Sequence, residues 1–515
     1  MVGVMHFWFG SRPATIEDLP FLDDSHIKQE LLILRTPPPG YEPARETDAD
    51  WEAFIRDNLH DDLRKYHLKT GLKPGTGGNS SSSSNGNSKS DGGSSSSSSN
   101  KFLSLRDLGD TVKQLFKSET GRHSVLVVLW RGKAYVGRQG GNLERYIINR
   151  VNSSLHTLMA ESVRLGLGPL PDVVFGFNAA DEPACRLARL RGCPVPIFSM
   201  FKRYNHTQRK STDSDVLLPH MFHAYDQLVF FPWAAKDRRG VMRSTFQKSM
   251  ATDSMRMRLA AMSASPAGAP WLDVGFPINA HPNVSMPQTY MRPWLQLEDH
   301  ARFKFLLNAD GHTASCRLGY IMQMNSVVLT QGDSPWIEYY YRSLQPGRHL
   351  LTYNDSSLLP LLQAYNDPAR DGELRQLVNA SQHFVARFLT TENKVRYALR
   401  ALQEYAALFG PGRMSDFIST ELAGKRLLDE AMLWAALPPP PAPPTSPSPP
   451  PPLAPGAKPA EEGAASPRPR PRRQRRRRHP GLPGGQGQLG RLSPAAVIQA
   501  LLDSSKDGEG SQRGR

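Results

Sequence analysis

Cysteine is scarce. Cys185, Cys193 and Cys316 are the only three in 515 residues, enough for one bridge at most, so folded parts must stand on buried apolar cores rather than on a disulfide framework. Long apolar runs are missing too. No window reaches the roughly 18 uncharged apolar residues of a membrane span, so no transmembrane segment is expected. The opening MVGVMHFWFG is too short and too uncharged to predict a signal peptide. Between residues 101 and 435 neither G-x-G-x-x-G nor a Walker lysine occurs, which excludes the two common nucleotide loops there. Acidic residues are outnumbered, 48 Asp+Glu against 63 Lys+Arg, for a net charge of +15. The excess is local: eight arginines fall between Arg468 and Arg478, and without them the chain carries only +7. That block interleaves no aromatic ring on which a base could stack, so nucleic acid is not the expected partner. Arginine-rich tails of this kind do bind polyanions with strong salt dependence, and RRQRRRRH resembles a nuclear localisation signal.

What the chain has in quantity is proline and glycine, 44 and 41 residues, and they are concentrated. Residues 75 to 100 are a Ser/Gly/Asn tract with nothing to bury and much backbone entropy to lose, which predicts a flexible linker or surface insertion. From Leu437 the chain runs LPPPPAPPTSPSPPPPLAPG into the arginine block. Such a sequence forms extended segments but no packed core, so residues 437 to 515 are expected to be disordered apart from a short helix around Pro494 to Leu502.

Between these tracts, apolar runs of strand length alternate with amphipathic helical stretches, the pattern of an α/β fold. Ser124–Trp130, Asp172–Phe177, Val195–Ser199, Gln227–Phe231, Phe303–Asn308 and Ser326–Thr330 read as buried strands. Apolar residues at helical spacing mark Asn142–Arg164 and a second helix carrying Leu374, Leu377, Val378, Val385 and Phe388. Helical crossovers favour parallel sheets with ligands at the carboxyl ends of the strands. The two strand clusters, 124 to 200 and 227 to 331, predict two Rossmann-like lobes with a cleft between them.

Two loops are candidates for chemistry. In KFLLNADGHTASCR a strand ends at Asn308, turns through Asp310-Gly311, and Thr313 or Ser315 then opens a helix, leaving free N–H groups for an anion. Arg317 falls in the first helical turn, where a guanidinium pairs well with phosphate oxygens; on spacing alone, a plain βα turn with Arg317 in a surface ion pair ranks ahead of that anion site. In LPDVVFGFNAADEP, Asp181 follows the end of a strand, a position that suits a general base or, equally, a helix N-cap.

These blocks occur in an order that resembles glycosyltransferase family 90, the protein O-glucosyltransferase and capsule-associated group. LPDVVFGFNAADEP is similar to the family's strand and catalytic loop, and PVPIFSMFKR to the strand that follows. PWAAKDRRGVMRST and RMRLAAMSASPAGAPWLDVGF match the next two blocks, and KFLLNADGHTASCR through SPWIEYYYRSLQPGRHL is the closest of all. The resemblance covers about residues 130 to 410.

The resemblance implies a GT-B arrangement of two Rossmann-like lobes and an inverting transfer of a sugar, glucose or xylose, from a UDP-sugar to a hydroxyl of a protein or glycan acceptor. It implies Asp181 as the base, and Arg243, Arg256 and Arg317 facing the diphosphate. It also places Asp310, Gly311 and the His312, Thr313, Ala314 and Ser315 backbone around that diphosphate, and Glu338 on the ribose hydroxyls, where a helix-surface glutamate fits as well. One displacement needs one base and neither a metal nor a cofactor. The matching division runs 1–74 N-terminal segment, 75–100 linker, 101–212 lobe with the base, 213–410 donor lobe, 411–436 helix and 437–515 tail.

The sequence also departs from the family. Ser244 replaces the glycine of the family's F-R-G-S, and the stretch from Phe198 to Trp233 is short, so acceptor identity does not transfer. The family implies the endoplasmic reticulum or Golgi lumen as location.

Overall fold

The computed structural model describes residues 30–35, 40–75, 102–118, 123–137, 144–186, 192–246, 253–277, 286–428, 433–436 and 493–503. The opening segment, nearly all of the Ser-rich tract and the arginine block lie outside them. Two six-stranded sheets organise the rest, and they follow different rules.

The first sheet is mixed. Its order is Leu433–Ala436, Lys133–Gly137, Ser124–Trp130, Val173–Asn178, Phe198–Ser199 and Val216–Leu217. The expected helical crossover after Ser124–Trp130 is replaced by a hairpin. Arg131 and Gly132 both take positive φ, 48° and 72°, which is the two-residue turn that returns the chain antiparallel. Val173–Asn178 also pairs antiparallel with Ser124–Trp130, and parallel pairing begins only with Phe198–Ser199. The Val195–Ser199 run yields just two strand residues because Pro194 and Pro196 have no N–H to give a ladder. Helix Arg145–Arg164 covers this sheet through Ile147, Val151, Leu155 and Met159, all buried.

The second sheet is parallel throughout, in the order Met291–Arg292, Leu272–Pro277, Asp237–Arg243, Phe303–Asn308, Val327–Gln331, Leu351–Tyr353. Numbered along the chain, that is 3-2-1-4-5-6, the doubly wound order. Its first strand, DRRGVMR, is too charged to announce itself by composition. The Gln227–Phe231 run is not part of this sheet: Leu228–Phe230 pairs antiparallel with Leu32–Leu34, and Pro232 ends it. Side chains alternate across the sheet as the pleat requires. Val241, Leu306 and Val328 join the large core shared with the mixed sheet, while Met242, Phe305, Leu307 and Leu329 join a second core on the other face.

Two further segments fasten onto this frame. Residues 49–70 form a helix with a π-helical turn at Arg56–His60, burying Trp51, Phe54, Leu59, Leu63 and Tyr66. Asp62 on that helix takes bonds from Lys202 and Arg342, all three nearly fully buried. The helix expected near Pro494 is present at Pro494–Asp503, and it docks on helix Leu105–Lys117. Gly109 permits the approach: a Cβ there would lie 3.0 Å from the Leu501 Cβ. Cys185 and Cys193 form the one disulfide, leaving Cys316 free.

Candidate active site

The first and fourth strands of the parallel sheet, Asp237–Arg243 and Phe303–Asn308, lie side by side while the chain continues from them to opposite edges. Such a reversal opens a crevice beyond the carboxyl ends of the strands. The loop Ala309–Cys316 fills its rim. Gly311 N–H donates to the Thr313 carbonyl at 3.0 Å, and the helix starts two to four residues later than Thr313 or Ser315 would place it. It spans only Arg317–Ile321, with Cys316 at the N-cap and no side-chain cap.

Opposite stands the loop that leaves strand Val173–Asn178. Asn178 braces it from within, donating to the Glu182 carbonyl at 2.6 Å and accepting from Ala180 N–H at 3.2 Å. The two loops enclose a cleft of about 330 Å³, lined on one side by Arg150, Asp181 and Phe201 and on the other by Thr245, Arg256 and residues 311–317. His312 Nε2 lies 3.1 Å from Glu182 Oε1 and ties the loops across it. Asp181 caps no helix. Its Oδ1 accepts from Arg150 Nη2 at 2.7 Å, and the described residues that follow it, 182–186, are not helical.

The other wall is cationic and short of counter-charge. Arg256, buried, spends its donors on neutral carbonyls, those of Thr245 at 2.9 Å and Ala309 at 3.3 Å. Arg317 Nη1 is buried with no hydrogen-bond partner. Among the described residues neither guanidinium makes an ion pair, so the surface ion pair that fitted the spacing of Arg317 is not formed. Burial, and then the neighbouring charge of Arg256, push the Arg317 guanidinium down to about 9. An unpaired buried cation is costly, and an anion entering the cleft would remove that cost. Asp310 is a carboxylate whose charge acts on Arg256: burial pushes its carboxyl up to about 6, against a bond from Ser334 and the pull of Arg256. Gly311 sits where a Cβ would come within 2.9 Å of Arg256 Nη2, so the loop and the guanidinium touch only because the side chain is missing.

Three expected donor residues do not line the cleft: Asp310, which is turned to Ser334, Arg243 and Glu338. Arg243 makes a bidentate pair with Asp273, both distances 2.9 Å, and bonds the Asp273 and Pro293 carbonyls. It lines nothing there. The chain's path puts Thr245, two residues on, at the rim instead. Glu338 is only 1 % exposed, and its Oε1 has no partner. It stands behind the lining, where burial pushes its carboxyl up to about 7, partly opposed by Lys394; that is not a helix-surface glutamate either. The Tyr339 and Tyr340 rings pack among Phe54, Tyr397 and Phe384. Arg150, Glu182 and His223 are cleft or rim residues that the sequence reading passed over; burial holds the His223 imidazole down near 4, with Nδ1 2.9 Å from Tyr320 Oη.

A larger cavity of about 1190 Å³ lies between the N-terminal helices and residues 341–349, with Arg342, His349 and His383 on its wall. It contains none of the expected site residues, and its arginines and aspartates largely pair with one another. The smaller cleft is where strand ends from both sheets converge.

Residues 281–413 match Glycosyl transferase family 90. The resemblance to that family holds. Among curated proteins, the chain is 32 % identical to Protein O-glucosyltransferase 2 of Danio rerio over 112 residues, 21 % of this chain and 22 % of that one. It is 26 % identical to Protein O-glucosyltransferase 3 of Homo sapiens over 250 residues, 46 % and 47 %. With O-glucosyltransferase rumi of Drosophila pseudoobscura pseudoobscura the identity is 23 % over 264 residues, 46 % and 61 %. The alignments therefore span between about a fifth and three fifths of these relatives' lengths. The family 90 segment contains the whole cationic loop, Asp310 to Arg317, but not Asp181.

Proposed function

We propose that this chain is an inverting glycosyltransferase that moves a hexose or pentose, glucose or xylose, from a UDP-sugar to a hydroxyl of a protein or glycan. In this reading the two sheets are the two lobes of a GT-B arrangement. Arg256, Arg317 and the amides of residues 311–315 face the diphosphate, and Asp181 faces the acceptor. Asp181 Oδ2 takes the hydroxyl proton as the acceptor oxygen bonds to the anomeric carbon. The bond from that carbon to the β-phosphate oxygen breaks, and UDP leaves with the electron pair. The charge that develops on UDP is met by fixed guanidinium groups and amide dipoles, so the proposal includes no metal and no cofactor. Arg243 is left out of the donor set, and Glu338 acts only from behind the lining.

The observation that carries the reading is the presence of Asp181 and an unpartnered Arg317 on facing walls of one cleft. The Cys185–Cys193 bridge supports an oxidising compartment such as the endoplasmic reticulum or Golgi lumen. The test uses the full chain with UDP-glucose and UDP-xylose. A UDP-sugar should raise the melting temperature, since it binds the native state alone, and UDP should be released on turnover. Absence of both effects for every UDP-sugar tried would overturn the reading. The alternative of a polyanion-binding protein acting through Arg468 to Arg478 falls on residues outside those described.

A further inference from the structure

Asp181 is held from outside its own loop. Helix Arg145–Arg164 carries Arg150, whose guanidinium donates through Nη2 to Asp181 Oδ1 at 2.7 Å and through Nη1 to the Ala179 carbonyl at 2.8 Å. The far side of the guanidinium is fixed as well, with the Tyr146 ring centroid 5.2 Å from its carbon. A planar fork that holds a backbone oxygen and a carboxylate at once sets their relative position in a way an ammonium group does not. The pair occupies Oδ1. Among the described residues nothing bonds Oδ2, and both Arg150 and Asp181 line the cleft.

We propose that Arg150 is a positioning residue for Asp181: it fixes the carboxylate so that Oδ2 is presented to the acceptor hydroxyl. The inference rests on the reading of Asp181 as the base. The other charged or titratable groups around the cleft do not duplicate the role. Glu182 is engaged with His312. Arg256 and Arg317 belong to the opposite wall, and His223 is bonded to Tyr320. Cys316 is a thiol that burial pushes up to about 11.

The measurement is steady-state UDP release from UDP-glucose and UDP-xylose by the full chain, with water as acceptor. Arg150→Ala should lower kcat by about 10- to 100-fold, the scale of a misplaced reacting group, with KM and UDP affinity within about twofold. Arg150→Lys, which retains charge but not the fork, should lie closer to Arg150→Ala than to the parent. Guanidinium ion should restore part of the Arg150→Ala rate. In the Asp181→Asn background, Arg150→Ala should cost almost nothing more, because residues acting as one unit are not additive. Full additivity, or a KM change as large as the kcat change, would overturn the positioning role. Binding of UDP measured by calorimetry verifies that each variant is folded. If Asp181→Asn alone keeps full activity, the reading of the base fails; if Asp181→Asn is inactive and Arg150→Ala is not impaired, only the present inference fails.

Discussion

The two sheets meet at one cleft and bring opposite things to it. The parallel sheet, doubly wound, brings cations and backbone amides at the reversal of its strand order, held there by Gly311 and by carbonyls that absorb the donors of Arg256. The mixed sheet brings Asp181 to the lining, clamped by an arginine from its covering helix, while Glu182 beside it is tied to His312. One wall is built with charge left over; the other is balanced within itself. The difference shows how a site can be asymmetric before anything binds: the unbalanced wall favours an anion, and the balanced wall keeps its acidic oxygen in a fixed direction.

That contrast can be broken experimentally. The largest effect should come from Asp181→Asn, expected to lower UDP release by about 10²- to 10⁴-fold, the range of a general base, with UDP affinity unchanged; a loss of UDP affinity of similar size would place Asp181 on the donor instead. Next, Arg317→Ala should weaken UDP binding by about 10- to 100-fold, as for a lost charged hydrogen bond, when measured by calorimetry. The same substitution should leave the melting temperature of the unliganded protein equal or higher, because it removes an uncompensated buried charge. A clear fall would show that Arg317 has a structural partner. Gly311→Ala should be milder, a few-fold loss of UDP affinity as the new methyl displaces the Arg256 guanidinium.

The smallest effect concerns Glu338. Its folded carboxyl is raised to about 7 from the ordinary 4.5, so the stability it contributes is fully present below about 4.5 and lost as pH rises through about 7. Glu338→Gln should therefore raise the melting temperature, relative to the parent, by a few degrees more at pH 8 than at pH 5. Equal differences at the two pH values would mean that Lys394 balances the ionised carboxylate in full.

Much of the parallel sheet was legible because burial on both faces writes strands as continuous apolar runs, as in KFLLN and SVVLT. Its first strand was not, since DRRGVMR is shaped by the pairing of Arg243 with Asp273, a contact between strands that only the fold brings together. The mixed sheet was misread for a local reason: the Arg131-Gly132 turn carries none of the usual Asn-Gly or Asp-Gly signal, so a hairpin passed for the start of a crossover. Among candidate site residues, Asp181, Arg256 and those on the loop 311–317 converge. Arg150 escaped notice because a polar residue on an amphipathic helix normally faces water, and only the approach of the Asn178-braced loop gives it another task. Glu338 was assigned by motif position, which says nothing of the depth at which a side chain ends up.

Docking of the Pro494–Asp503 helix on helix Leu105–Lys117 changes how the end of this chain should be handled. Val497 and Leu501 are fully enclosed there, and the groove at Gly109 is shaped to receive Leu501 and Leu502. Cutting the protein after Ala436 to obtain a tidier sample would uncover that groove and leave an oily strip facing solvent, so clumping of such a truncation would reveal the missing plug rather than a fault in the two-sheet frame.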